Sequence, residues 1–532
     1  MKFAQRRHMK TSPIPVRKIS ANSMPRAFVS YISIPELIIW TRLIPPVGFE
    51  LGLTSSLDAR RVGLASATLA LCAWLAAHRH TAHLIANRMT TPRNDQMHLA
   101  AFALAGPVSG NHGGWRYPSA DTNFLSGSYY KKLGRLLEDG KFDLLFLADI
   151  LAVPSRYEGS TDSQLRYGAL GALRLEPLAV LATVAAATER LGLASTISTS
   201  YFEPFAVARA LATLDHLSDG RAAWNIVTSF QAAEAANFGL EAQLSRDQRY
   251  DRADEFVEVA CKLWDSWRDG ALTLDRETPQ FADPSKVAAI DHAGQYFRVK
   301  GPLNVSRSPQ GRPVFIQAGA SGRGRDFAAR WAEVIFVTHS SLESAQEFYR
   351  DMKQRAVKFG RNPDELKVLP GIVPIVGETR LIAEETERLL NSLVVPEAGL
   401  STLSYHLDID LSQYPQDDVL PQVDVPGVQG HYKEVTELTH KHGLSLRQLG
   451  TRYGVGPLRE FVGAADEVVD RLQLWFESGA CDGFMIQAPF LPGGLEDFVR
   501  LAVPRLQARG LFRTEYTGAT LRDHLNLSRP AA

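Results

Sequence analysis

The loop Gly319-Ala320-Ser321-Gly322-Arg323-Gly324 stands between an apolar run and a helical pattern. Backbone N–H groups at a helix N-terminus, the Ser321 hydroxyl, the close approach allowed at Gly322, and Arg323 or Arg325 nearby would suit a phosphate. The same residues also make an ordinary capped turn, and the spacing is not the G-x-G-x-x-G of dinucleotide folds. Asp149 closes an apolar run and could orient a ligand hydroxyl or ring N–H, or serve as a loop cap. Thr196 ends the next run and could donate to a ligand carbonyl, although its β propensity explains it equally. Asn225, in WNIVTS, is polar inside a strand pattern and marks a polar pocket. His112, in SGNHGGWR, could move protons or be a bystander in a glycine turn. Tyr250 opens a long helix pattern whose early acids suit a helix N-terminus, and the phenol could face the site. No HExxH, CxxC or carboxylate cluster points to a metal. No GxSxG or Cys/His arrangement points to a covalent nucleophile.

Elements that could hold these residues alternate along the chain. Apolar runs at 98–104, 142–147, 191–198, 221–228, 313–318, 333–337, 366–376 and 482–487 read as strands buried on both faces. Helical patterns follow them, among them 177–190, 205–216, 248–267 and 342–359. Eight strand-then-helix units predict an α/β (β/α)8 TIM barrel with its site on the loops after the strands. A doubly wound open sheet is the alternative. The length requires insertions, placed near 268–312 and 390–460. The second contains YPQDDVLPQVDVPGVQG and could act as a lid.

The 532 residues carry 58 basic and 58 acidic side chains and are 45% hydrophobic. This excludes a disordered or polytopic membrane chain and a nucleic-acid binder relying on a global positive field. Three separated cysteines suggest a reducing compartment. The balance hides a split: residues 1–90 hold twelve Lys or Arg against three acids, leaving 46 against 55 for the remainder. Residues 1–88 therefore read as a poorly structured basic extension, with Met89 or Met97 as alternative starts. Their uncharged run Val62–Ala77 is too short to span a bilayer and too far from the start for a signal peptide. The triplet His78, His80, His83 could bind metal only with a scaffold around it. Residues 89–532 form the expected catalytic region.

Several segments, in order, resemble one known family: FDLLFLAD, LASTISTSYFEPFAVARALATLDHLSDGRAAWNIVTS, RYDRADEF, QAGASGRGRDFAAR and the terminal GLFRTEY. They resemble the nitrilotriacetate, dibenzothiophene sulfone and long-chain alkane monooxygenases among the bacterial luciferase-like flavoproteins. The resemblance spans about residues 97–525. It implies a luciferase-like (β/α)8 barrel that uses reduced FMN from a separate NAD(P)H:flavin reductase. A C4a-(hydro)peroxyflavin then places one atom of O2 on a small organic substrate. It also implies FMN contacts at Asp149, Thr196, Tyr250, Ser321 and Gly322. A further contact, usually histidine in the family, falls on Arg246, whose charge suits the phosphate. Phe230 stands where the alkane enzyme has a histidine, which argues against alkane chemistry. His112 and Asn225 are left for proton handling or substrate orientation.

A cytoplasmic homo-oligomer without stable membrane association or nucleic-acid partner is the accompanying expectation. The alternatives are a deazaflavin-dependent oxidoreductase of the wider group, another barrel enzyme with a phosphorylated substrate, and an inert flavin-binding protein.

Overall fold

Apolar runs become strands wherever both faces can be covered. In the computed structural model they are β1 His98–Leu104, β2 Leu144–Ala148, β3 Gly192–Ser198, β4 Ala222–Val227 and β5 Val314–Gln317. Then follow β6 Val334–Ile335, β7 Lys367–Val368, β8 Gly371–Ile372 and β9 Gly483–Gln487. All pair in parallel, in the order β7-β6-β5-β4-β3-β2-β1-β9-β8. The structure describes residues 95–107, 110–319, 321–425, 427, 429–455 and 459–532. The chain divides at Arg79/His80, and every described residue lies in the second unit. The expectations for residues 1–88, including Val62–Ala77, the histidine triplet and the start at Met89, fall outside the described residues. Among those described, no helix is long and apolar enough to cross a membrane.

The sheet departs from the expected closed eight-stranded barrel. It is a parallel half-barrel of nine strands whose two edge strands are consecutive in the chain. The single run expected at 366–376 is split at Leu369-Pro370. Proline has no N–H and cannot continue a ladder. Leu369 and Gly371 donate to Ile335 and Val337 on one side. The carbonyls of Val368 and Pro370 accept from Asp482 and Met485 on the other. The interrupted segment thus hands its hydrogen bonds from one neighbour to the other.

Side chains alternate across the sheet with the strand period of two. Ala100, Leu144, Phe146, Ala194, Ala223 and Met485 belong to the inner cluster, which Leu521, Leu525 and Leu527 of the C-terminal segment join. Leu145, Leu147 and Leu193 face outward under the helices. The helices needed below are α1 Gly127–Asp139, α2 Asp162–Tyr167, α3 Pro177–Ala185, α4 Pro204–Leu217, α5 Ala232–Asn237 and α6 Arg246–Asp265. They continue with α7 Gly322–Trp331, α8 Leu342–Lys358, α9 Arg380–Leu393, α10 Pro396–Leu407, α11 Gln429–His442, α12 Leu446–Val455 and α13 Ala465–Glu477. On α6, Phe256 and Trp264 pack on Trp224 of β4. This fixes the long helix over the sheet and brings its first turn to the ends of the strands.

Both expected insertions have structure of their own. Residues 268–312 contain two small antiparallel hairpins, Leu272–Asp275 with Gln280–Ala282 and His292–Ala293 with Arg298–Val299. The region near 390–460 is largely helical rather than a loop lid. Leu400, Leu403, Leu407, Leu420, Leu446 and Leu449 give it a separate apolar core. Gly399 and Gly450 let α10 and α12 cross in backbone contact: a Cβ on Gly450 would stand 2.5 Å from the Pro396 carbonyl oxygen.

Candidate active site

Strand register brings the first polar pair together. Thr196 of β3 and Asn225 of β4 are ladder partners, and Asn225 Nδ2 donates to Thr196 Oγ1 at 2.9 Å. The Thr196 hydroxyl donates in turn to the Leu147 carbonyl at 2.9 Å. Its hydrogen is therefore committed, and Thr196 presents a lone pair rather than the donor expected from sequence. Asn225 is buried, and its Oδ1 has no partner among the described residues. Beyond β4, Ser229 has φ +47°, an unusual backbone for a serine and a kind of strain that collects at functional sites. It donates to Ser198 Oγ at 3.0 Å.

A cavity of about 220 Å³ opens at these strand ends, lined by Asp149, Thr196, Ser229 and Glu234 and walled by Phe202 and Val207. Burial pushes the Asp149 carboxyl up to about 7. Arg174 and the Ile150 N–H oppose this shift, and Glu176 and Glu234 add to it. The Ile150 N–H donates to Asp149 Oδ1 at 2.9 Å. Glu234 on α5 is buried, accepts from the Leu151 N–H at 3.0 Å, and is itself raised, chiefly by burial. The Nε of Arg174 is shielded from solvent without a partner. One guanidinium therefore serves two carboxyls in a low-dielectric setting, so a proton is readily held there near neutral pH.

The first turns of α6 and α7 converge on Tyr250. Ser321 caps α7, its Oγ accepting from the Gly324 N–H at 3.2 Å. Tyr250 is buried and hydrogen-bonds Gln317 and Ser321, while burial raises its pKa. A Cβ at Gly324 would lie 2.7 Å from the Tyr250 hydroxyl, whereas one at Gly322 would meet nothing within 4 Å. Gly324 is thus a packing requirement, and Gly322 leaves backbone open to a ligand. Arg246, at the start of α6, is exposed and has no ion pair among the described residues. The arginines of the loop itself are otherwise engaged. Arg323 pairs with Asp251 at 3.0 Å and Asp254 at 2.6 Å, and Arg325 with Asp351 at 2.9 Å. The expectation that Arg323 or Arg325 would meet a phosphate does not fit these ion pairs.

His112 belongs to a second cavity, which shares no lining residue with the first. Its backbone N–H donates to the Gly454 carbonyl at 2.8 Å. Burial lowers its pKa to about 4 against a hydrogen bond to the Ala398 carbonyl, so the ring is neutral at pH 7. Phe230 packs against Tyr405 with ring centroids 5.5 Å apart.

Sequence reasoning missed Arg174, Glu234, Arg249 and His339. Arg249, one residue before Tyr250, has its Nε buried and unpartnered. His339 beyond β6 is buried, with Nδ1 3.2 Å from Ser344 Oγ and a pKa pushed down to about 4 by burial and by Arg325. The available signal was a lone charge in the alanine-rich AAEAAN for Glu234, and for Arg174 a basic and an acidic residue two apart in the otherwise apolar GALRLEP. Among the described residues no group of three or more His, Cys, Asp or Glu could hold a metal ion.

A family model described as luciferase-like monooxygenase matches residues 107–482. The dibenzothiophene-sulfone monooxygenase of Rhodococcus erythropolis (strain XP) is 49% identical over 441 residues, covering 82% of this chain and 97% of that protein. Component A of the nitrilotriacetate monooxygenase of Aminobacter aminovorans is 44% identical over 449 residues, covering 82% and 98%. The crystal structure of a riboflavin lyase with modified FMN and riboflavin superimposes with TM-score 0.74 at 32% identity, covering 82% of this chain and 97% of the other.

Proposed function

The chain belongs to the luciferase-like monooxygenase family, and from that premise we propose that it is the oxygenase of a two-component system. It takes reduced FMN from a separate NAD(P)H:flavin reductase and inserts one atom of O2 into a small organic substrate. The observation carrying this reading is that an apolar-walled cavity, holding Asp149 and Thr196, and the Ser321–Tyr250 cradle lie at the same end of the parallel sheet. The relatives support it: one is named as a component A, and a structural neighbour holds modified FMN.

The residues fit FMN. The α7 N-terminus, with Ser321 and the open Gly322 backbone, suits the phosphate, and Arg246 and the unpartnered Arg249 Nε add positive charge beside it. Asn225 Oδ1 is an acceptor awaiting a donor, and a flavin ring carries N–H groups. Bound reduced FMN supplies the electrons that activate O2.

The protein's part is positioning and proton management. Thr196 fixes the Asn225 amide so that its oxygen points away from the ladder partner. Asp149 holds or releases a proton at its carboxyl near neutral pH. Phe202 and Val207 keep water from the reacting face. In this reading Asn225 orients, and His112 acts from the second cavity as a neutral acceptor.

The test is anaerobic titration with reduced FMN. It is followed by admission of O2 with candidate sulfones, aminopolycarboxylates or alkanes and a generic flavin reductase. Binding followed by an oxygenated product is expected. Absence of FMNH2 binding overturns the reading. Hydride exchange with a deazaflavin and no oxygen uptake would favour a deazaflavin oxidoreductase, and binding without product an inert flavin protein.

A further inference from the structure

The segment SGNHGGWR contributes three walls to the second cavity, of about 290 Å³: His112, Trp115 and Arg116. Arg166, Tyr167 and Leu393 face them. No Asp or Glu lines this space. Arg116 donates to the Leu393 carbonyl at 2.8 Å, and neither Arg116 nor Arg166 has an ion pair among the described residues. Two guanidinium groups thus stand at one opening with no carboxylate among its lining residues. The aromatic wall is held in place, since Trp115 Nε1 donates to the Tyr167 carbonyl at 3.0 Å. At the buried end, His112 is only 7% exposed and its Nδ1 has no partner among the described residues.

We infer that this cavity binds a small organic anion. Its carboxylate or similar oxyanion head meets Arg116 and Arg166, its apolar or aromatic body lies against Trp115, Tyr167 and Leu393, and any N–H or O–H at its far end donates to His112 Nδ1. Guanidinium forks match planar oxyanions, and an aromatic wall favours a flat body. A buried bare acceptor selects a donor because leaving it unpaired is costly. Flavin chemistry is not needed here: the site requires an anion, not a cofactor. The same chemistry could belong to the substrate of the enzyme or to an effector.

Calorimetry with 4-hydroxybenzoate, which carries both the anionic head and a distal hydroxyl, tests it without flavin. Benzoate and neutral 4-hydroxybenzamide are the controls. Binding of 4-hydroxybenzoate is expected, about fivefold weaker in Arg116→Gln and again in Arg166→Gln, with the amide weaker than both acids. Both arginines are exposed, so an unchanged melting temperature will show that the variants fold. Equal binding of acid and amide, indifference to both substitutions, or no binding of any of the three would overturn the inference. In assays with reduced FMN, a raised KM at constant kcat in the arginine variants, for anionic substrates alone, would identify the anion as substrate. An anion that alters turnover of a neutral substrate, with that effect lost in the variants, would identify an effector. A failed flavin titration alongside arginine-dependent binding would leave this site intact while removing the oxygenase reading.

Discussion

Replacing Asp149 with asparagine separates charge from shape at the centre of the first cavity. The amide keeps the acceptor for the Ile150 N–H and can never ionise. Burial raises the parent carboxyl from its ordinary 3.8 to about 7. Between those values the native chain keeps a proton that the unfolded chain has lost. Parent stability should therefore fall as pH rises through the window and level off above about 7. Between pH 5 and pH 8 the full effect is about 3 kcal/mol, and water reaching a part-exposed carboxyl reduces it, so about 1–3 kcal/mol is expected. Urea denaturation at pH 5, 6, 7 and 8 measures it: the stability of Asp149→Asn relative to the parent should climb across the series. The pH dependence of affinity for reduced FMN should differ between parent and variant by a component centred near 7, the ligand's own titration being common to both. A constant difference between the two proteins from pH 5 to 8, or one that shrinks, would refute the burial argument.

Ser321→Ala should weaken reduced-FMN binding about tenfold and remove a helix cap worth about 1 kcal/mol, read by anaerobic titration and urea denaturation. Ser321→Gly should lose the affinity with little of the stability. Arg249→Gln should weaken the same binding, whereas Arg323→Ala should change it less than about twofold, because Arg323 is engaged with Asp251 and Asp254. Burial holds His112, His339 and His524 near 4. The unfolded chain takes up these protons near 6.5, so stability should be lost as pH falls from about 6.5 toward 4. Circular dichroism of an acid titration should show this, with His524→Leu flattening the slope and an unchanged stability from pH 7 to 5 contradicting it. Gly450→Ala places a methyl against the Pro396 carbonyl and should cost about 1–3 kcal/mol by urea denaturation.

The strands were legible because parallel strands under helices must be apolar on both faces. β2, β3 and β9 lie within two residues of the runs that announce them. Pro370 was equally visible, but its effect depends on which neighbour takes each hydrogen bond, and only the assembled sheet determines that. The helical insertion was obscured by its own composition. Prolines, glutamines and aspartates dominate 414–430, while most of the leucines that form its core lie outside that stretch, on helices α10 and α12.

For the candidate site, residue type and strand position singled out Asp149, Thr196 and Asn225, since a polar residue in or closing a buried apolar run must find a polar partner there. The direction of the Thr196 hydroxyl was not legible, because its acceptor is the carbonyl of a neighbouring strand. Nor was the engagement of Arg323, whose carboxylates lie on α6, far away in the chain. Arg174, in a loop, and Glu234, on the short helix α5, escaped notice because a charge signals nothing until its partners are known.

The seat of His112 is made by residues remote from it in the chain: its N–H meets Gly454, and the Ala398 carbonyl meets its ring. During synthesis the SGNHGGWR segment emerges long before those partners exist, and the glycine crossing of α10 on α12 must close before they are presented. A molecule lodged beside His112 can therefore recognise only a chain whose late helices have docked. By mass action it would shield the whole fold from unfolding and proteolysis, rather than one loop. Protection from protease by such a molecule would thus report that maturation is complete.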